Sequence, residues 1–239
     1  MISTTRKRGF TIIELILAMT AISVLLVVIV VLVMNINSMF RQGIALRETN
    51  SAARAIIDDI MRTTAGSPGL PMGAAFGRTH GAGAMTEGGV FCTGSYSYVW
   101  KHARRLRGDL GNPNGGMSVN GITNFRLLKA RDAGRDMCNP ALGMALVTPT
   151  GEPPQEVISA AEIDLALYDF RVFVPRSNTT IGQSFYTVSF VLGTLRGTNL
   201  EGGRVGREAC VPPALELGFD FDYCAVNRFN FAVRAAGGG

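Results

Sequence analysis

Proline is missing from the stretch between Met1 and Gly66, although the chain has ten prolines in all, so nothing there forces a helix to kink. Histidine occurs only at His80 and His102, and no Cys-x-x-Cys is present. Neither pattern gives the ligand spacing of a metal centre, and no metal is expected. His80 sits in a glycine-rich stretch and reads as a solvated loop residue. Without a Gly-x-Ser-x-Gly elbow or a phosphate-binding loop, little remains on which to build catalysis. No enzymatic activity and no cofactor are expected. Glu216, Asp220 and Asp222 could offer oxygens to calcium but lack the EF-hand spacing. Lysine stands only at positions 7, 101 and 129. The one basic cluster beyond the N-terminus, Lys101, Arg104, Arg105 and Arg107, has no interleaved aromatic except Trp100. It reads as a solvated turn or helix face, and nucleic acid is not an expected partner. No repeat or heptad emerges.

What the chain does have is an excess of apolar residues concentrated at one end. Its 239 residues are enough for one sizeable domain and an appendage. The formal net charge is +5, but removal of residues 1–9 takes away Arg6, Lys7 and Arg8 and leaves 20 basic against 18 acidic side chains. From Ile12 to Met34 run 23 residues whose only ionisable side chain is Glu14. As a helix they would span about 35 Å, enough to cross a bilayer. The preceding basic residues orient the short N-terminal arm toward the cytoplasm and the bulk of the chain outward.

The order of features is not that of an ordinary secretory signal. There, a small-residue cleavage site follows the apolar core. Here the small residue, Gly9, precedes it, directly after Arg6-Lys7-Arg8. Glu14 is the second anomaly, because a carboxylate at mid-bilayer costs about 2.5 to 3.5 kcal/mol. Two offsets are open from the residues alone. One is an interfacial position in the first helical turn, where the macrodipole favours anions; the other is a partner of opposite charge.

The run Arg8-Gly9-Phe10-Thr11-Ile12-Ile13-Glu14-Leu15 closely resembles the signature shared by type IV pilins, type II secretion pseudopilins and competence pseudopilins. The resemblance implies a basic leader (Arg6, Lys7, Arg8) cut between Gly9 and Phe10 by a prepilin peptidase, which then methylates the Phe10 amine. Gly9 lets a peptidase approach the backbone closely. The same resemblance gives Glu14 its partner, the Phe10 ammonium of a neighbouring subunit. Implied partners are other pilin subunits, the prepilin peptidase, the pilus assembly platform of the cytoplasmic membrane and, before assembly, lipid. The implied location is a single-pass cytoplasmic-membrane precursor with an exported head, then an extracellular or cell-surface filament. The chain is longer and more loop-rich than major pilins typically are, which favours a minor pilin or pseudopilin. The alternatives are a major subunit, or a membrane-anchored exported binding domain unrelated to filaments.

The expected fold is α+β: the type IV pilin fold, a long N-terminal helix, transmembrane in its first half, packed on a C-terminal antiparallel β-sheet head. Residues 1–9 form the leader, 10–65 the helix (transmembrane about 12–34, stem about 35–65) and 66–239 the head. The stem stripe is read as Phe40, Ile44, Ala52, Ile56, Ile57, Ile60 and Met61. Breakers from Gly66 to Pro71 end it. The family's frequent stem proline is lacking, and Gly43 is the one flexible point beyond the apolar run. Residues 66–121 read as loops around one strand, Phe91 to Lys101. Further strands are expected at Ile122–Lys129, Leu165–Val174, Ser184–Leu195 and Asn227–Arg234, with a linking loop over Pro140–Ser159. Cys92, Cys138, Cys210 and Cys224 all follow the apolar run, on the oxidising side. Of three connectivities, Cys92 with Cys138 and Cys210 with Cys224 close the shortest loops and are preferred.

Overall fold

In a computed structural model, the structure describes residues 11–66, 77–80, 88–108, 111, 115–139, 144–149, 151–158, 164–173, 184–195, 199–200, 208–209 and 224–235. The chain divides into two compact units, Met1–Arg41 and Gln42–Gly239. Helix α1 (Ile12–Ala65, 54 residues) begins in the first and ends in the second. Thr11 caps it: its Oγ1 accepts the Glu14 N–H at 3.3 Å, and its carbonyl accepts the Leu15 N–H. Gly66 donates the last helical bond, to the Arg62 carbonyl.

Within the second unit the strands are β1 (Gly77–His80), β2 (Gly88–Cys92), β3 (Tyr96–Lys101), β4 (Ser118–Val119), β5 (Leu127–Arg131), β6 (Ala145–Leu146) and β7 (Gln155–Glu156). They continue with β8 (Leu165–Phe173), β9 (Ser184–Thr194), β10 (Asn199–Leu200), β11 (Glu208–Ala209) and β12 (Val226–Ala235). A short helix, α2 (Ala103–Arg107), follows β3. One antiparallel sheet has the order β1-β2-β3-β5-β7, and a second has β12-β9-β8. A parallel bridge between His102 and Leu167 links them. Among the described residues there are also two small pairs, β4 with β6 (parallel) and β10 with β11 (antiparallel).

The central strands β2, β3 and β5 of the five-stranded sheet are covered on both faces. Phe91, Tyr98, Trp100 and Leu127 join the stem residues Ala45, Ala53, Ile56 and Ile60 and the second sheet's Leu167, Phe170, Val188, Phe190 and Leu192 in one core. Val90, Cys92, Val99, Leu128 and Ala130 point the other way, onto Met117, Val119, Phe125, Met137 and Leu146. Strands buried on both sides carry near-continuous apolar runs, so polar–apolar alternation is largely lost. That loss explains one departure from the sequence reading: Phe91–Lys101 is not one strand but the arms of a hairpin. Thr93 closes it by donating its N–H and Oγ1–H to the Tyr96 carbonyl, and Gly94 takes a left-handed φ of 107°. Other segments read as loops contain β1, β4, β6, β7 and α2. β5 starts at Leu127, not Ile122, because Asn120 and Gly121 turn the chain with φ of 49° and 80°.

The stem face also differs. Its buried residues are Ala45, Thr49, Ala53, Ile56, Ile60, Thr63 and Thr64, while Phe40 and Met61 are exposed. The threonines can be buried because their hydroxyls donate to α1's own carbonyls at Ala45, Asp59 and Ile60. The basic cluster departs from its expected place as well. Lys101 is fully buried, its ammonium donating to the carbonyls of Gly115 and Thr123 and lying 5.1 Å from the Phe125 ring centre. Arg105 is buried as well, so this is not a solvated face.

Candidate assembly site at the N-terminus

Residues 12–37 of α1 are all exposed, and none of the apolar side chains in this run is buried. Exposure of this many Val, Ile and Leu side chains in water is untenable, and lipid or other apolar helices must cover them. The backbone is compatible with that setting because α1 pairs its own N–H and C=O groups. Its two hydroxyls in mid-run are satisfied locally: Thr20 Oγ1 donates to Leu17 O at 2.9 Å and Ser23 Oγ to Met19 O at 2.8 Å.

Glu14 stands in the first turn, at the third helical position after the Thr11 cap. There the four leading N–H groups of a helix carry a partial positive charge that favours an anion. The side chain is exposed, and among the described residues no basic group pairs with it. An interfacial or dipole-stabilised carboxylate and a carboxylate awaiting an external cation are both satisfied by this placement. Thr11 contributes to the site as the helix cap, beyond the residues singled out from the sequence. Its signal is present in the sequence, since Thr-x-x-Glu immediately before an apolar run is a capping-box pattern.

The other sequence-derived candidates fall as follows. Arg6, Lys7, Arg8, Gly9 and Phe10 lie outside the described residues, as do Cys210, Glu216, Asp220 and Asp222. Cys92 and Cys138 form a disulfide with Cα atoms 6.3 Å apart, the first of the two preferred pairs. Cys224 is also disulfide-bonded. His80 belongs to β1, paired with Gly88, and not to a loop. His102 is buried and caps α2, its Nδ1 accepting the Arg104 N–H at 3.1 Å. Among the described residues no group of His, Cys, Asp and Glu could hold a metal ion.

A polar clasp between stem and sheet was not legible beforehand. Asp59 of α1 accepts from Lys129 Nζ of β5 at 2.6 Å and from Tyr98 Oη of β3 at 2.8 Å. Thr63 Oγ1 lies 2.9 Å from the same phenol, and Lys129 sits 4.6 Å from the Tyr96 ring centre. Burial, chiefly, holds the Tyr98 phenol well above its ordinary pKa, and Asp59 adds to the effect.

Residues 4–32 match the family model of the prokaryotic N-terminal methylation motif. No curated protein and no solved structure matches the chain significantly. The chain thus carries the prokaryotic N-terminal methylation motif, continued by a long apolar helix and an antiparallel β-sheet head, an arrangement similar to that of type IV pilins and pseudopilins.

Proposed function

We propose that the protein is a minor pilin or pseudopilin, cut between Gly9 and Phe10, methylated on the new amine, and held in its filament by Glu14 paired with a neighbour's Phe10. The observation that carries the reading is the methylation motif at residues 4–32 running directly into an apolar helix that its own chain leaves uncovered. Before assembly the helix serves as a membrane anchor; in the filament, equivalent helices take the place of lipid. Neutralisation of a carboxylate by an ammonium in an apolar interior is strong when both are present and costly when one is missing. The pairing therefore fixes subunit register as well as stability. The leader, Phe10 and the pilus assembly platform enter as expectations of the family, and the minor role rests on the long, loop-rich head.

Intact-mass measurement of protein extracted from its native membrane tests processing. The expected species lacks residues 1–9 and carries one added methyl group. A chain still beginning at Met1, or cut elsewhere, removes the proposal. Glu14→Ala should be processed normally yet be depleted from sheared filaments, because it leaves an ammonium unpaired in the apolar core. Gly9→Glu should instead accumulate as uncut precursor in the membrane. Normal incorporation of Glu14→Ala would refute the pairing, and dominance of this chain in purified filaments would refute the minor role.

A further inference from the structure

Cys138 lies on a short 3-10 turn, Asp136–Cys138, that does not cap itself. Its N-cap, Arg135, sits at a left-handed φ of 59° and gives no side-chain bond. Asp132, just past the end of β5 and fully buried, supplies what is missing. Its Oδ1 accepts the Asp136 N–H at 2.9 Å and its Oδ2 the Met137 N–H at 3.0 Å. Its carbonyl accepts the Arg135 N–H at 3.2 Å, and Arg135 O in turn accepts the Cys138 N–H at 3.0 Å. The same carboxylate reaches the other cysteine. Ser97 Oγ donates to Asp132 Oδ2 at 2.6 Å and stands 2.9 Å from Cys92 Sγ, in the cross-strand pair Cys92–Ser97.

We propose that Asp132, acting through Ser97 and the turn it caps, is the positioning residue for the Cys92–Cys138 disulfide. It organises both sulfurs in the folded dithiol, so that oxidation closes a bond between groups already facing each other. In that step each thiol gives up its proton and one electron, and the Sγ–Sγ bond forms. A disulfide oxidant such as oxidised glutathione takes the two electrons and two protons and leaves as two thiols. Hydrogen bonds to an ionised, buried acceptor are the strong kind, so losing this anchor weakens the local bond preference and not only the global fold.

The test is a glutathione redox titration of the full-length protein in detergent, with free thiols counted by alkylation and mass. Asp132→Ala should shift the dithiol–disulfide equilibrium toward the dithiol by at least tenfold. Ser97→Ala should shift it less, and Asp132→Asn, which keeps one acceptor, should fall between. Ile56→Ala serves as control: it damages the core on the opposite face of the sheet, so it should lower thermal stability without moving the redox equilibrium. A wild-type titration for Asp132→Ala, or an equal shift for Ile56→Ala, overturns the proposal. Should Asp132→Ala fail to fold, unshifted titrations of Ser97→Ala and Asp132→Asn overturn it instead.

Discussion

Replacing Asp59 with alanine removes the acceptor at the centre of the stem–sheet clasp. It deletes two hydrogen bonds to an ionised group, from Lys129 Nζ and from Tyr98 Oη. Bonds of that kind contribute about 1.5 to 3 kcal/mol each. The sum must be discounted because the Asp59 side chain is 26% exposed and that of Lys129 16%, so water partly replaces what is lost. Lys129 keeps the Tyr96 ring and Tyr98 keeps Thr63, which limits the damage further. The expected cost is about 2 to 3 kcal/mol, or ~4 to 12 °C in the unfolding midpoint for a chain of this size. Thermal unfolding of the full-length protein in detergent, followed by circular dichroism, measures it. The adjacent Asp58 is exposed, so Asp58→Ala should stay within about 0.5 kcal/mol of wild type. The double variant Asp59→Leu/Lys129→Met should recover much of the loss, because it removes both charges and not one. An Asp59→Ala midpoint indistinguishable from that of Asp58→Ala, or a double variant as damaged as the two single losses combined, would refute the clasp.

Three further outcomes follow from the head and stem. A Cβ at position 88 would lie 2.2 Å from the Trp100 carbonyl oxygen, whereas at position 43 it meets nothing within 4 Å. In chemical denaturation Gly88→Ala should therefore cost about 2 kcal/mol or more through forced separation of β2 from β3, while Gly43→Ala should stabilise by about 1 kcal/mol. Tyr98 keeps its proton in the folded chain above the ordinary phenol value of about 10, where the unfolded chain loses it. Stability relative to Tyr98→Phe should thus be flat below pH ~10 and fall by about 1.4 kcal/mol per pH unit above it; parallel curves in pH-dependent denaturation would contradict this. Cys138→Ser opens a loop with a sequence separation of 46, worth about 4 kcal/mol on chain-entropy grounds, and should sharply raise protease susceptibility.

The N-terminal motif, matched over residues 4–32, was legible because its signal is local. Arg8, Gly9, Phe10 and Glu14 stand within seven positions, and the Thr11 cap lies inside the same window. The second sheet was legible for a related reason. β8, β9 and β12 are long runs of β-branched and aromatic residues, and their ends fall within one residue of the expected spans. The stem stripe was mostly legible: Ile56 and Ile60 are buried against the head as expected, and Ile44, Ala52 and Ile57 pack, partly buried, on the same core. Ala45, Thr49 and Ala53 escaped because small and hydroxylated residues carry little hydropathy, yet small size brings the sheet close and a threonine hydroxyl can bond its own helix.

What remained hidden is whatever depends on contacts far along the chain. Asp58 and Asp59 are chemically identical and adjacent, and no periodicity argument separates them into an exposed charge and a clasp. The difference is Lys129, 70 residues away, brought under α1 only when β5 pairs with β3 and that sheet packs on the stem. Lys101 repeats the lesson with the opposite surprise. Its side chain reads as solvated beside three arginines, but the turn through Gly115 and the approach to Thr123 surround it with carbonyl acceptors. A buried cation surrounded by such acceptors is tolerable where an unpaired one is not, so the cluster's burial follows from the chain that returns over it, not from its own composition.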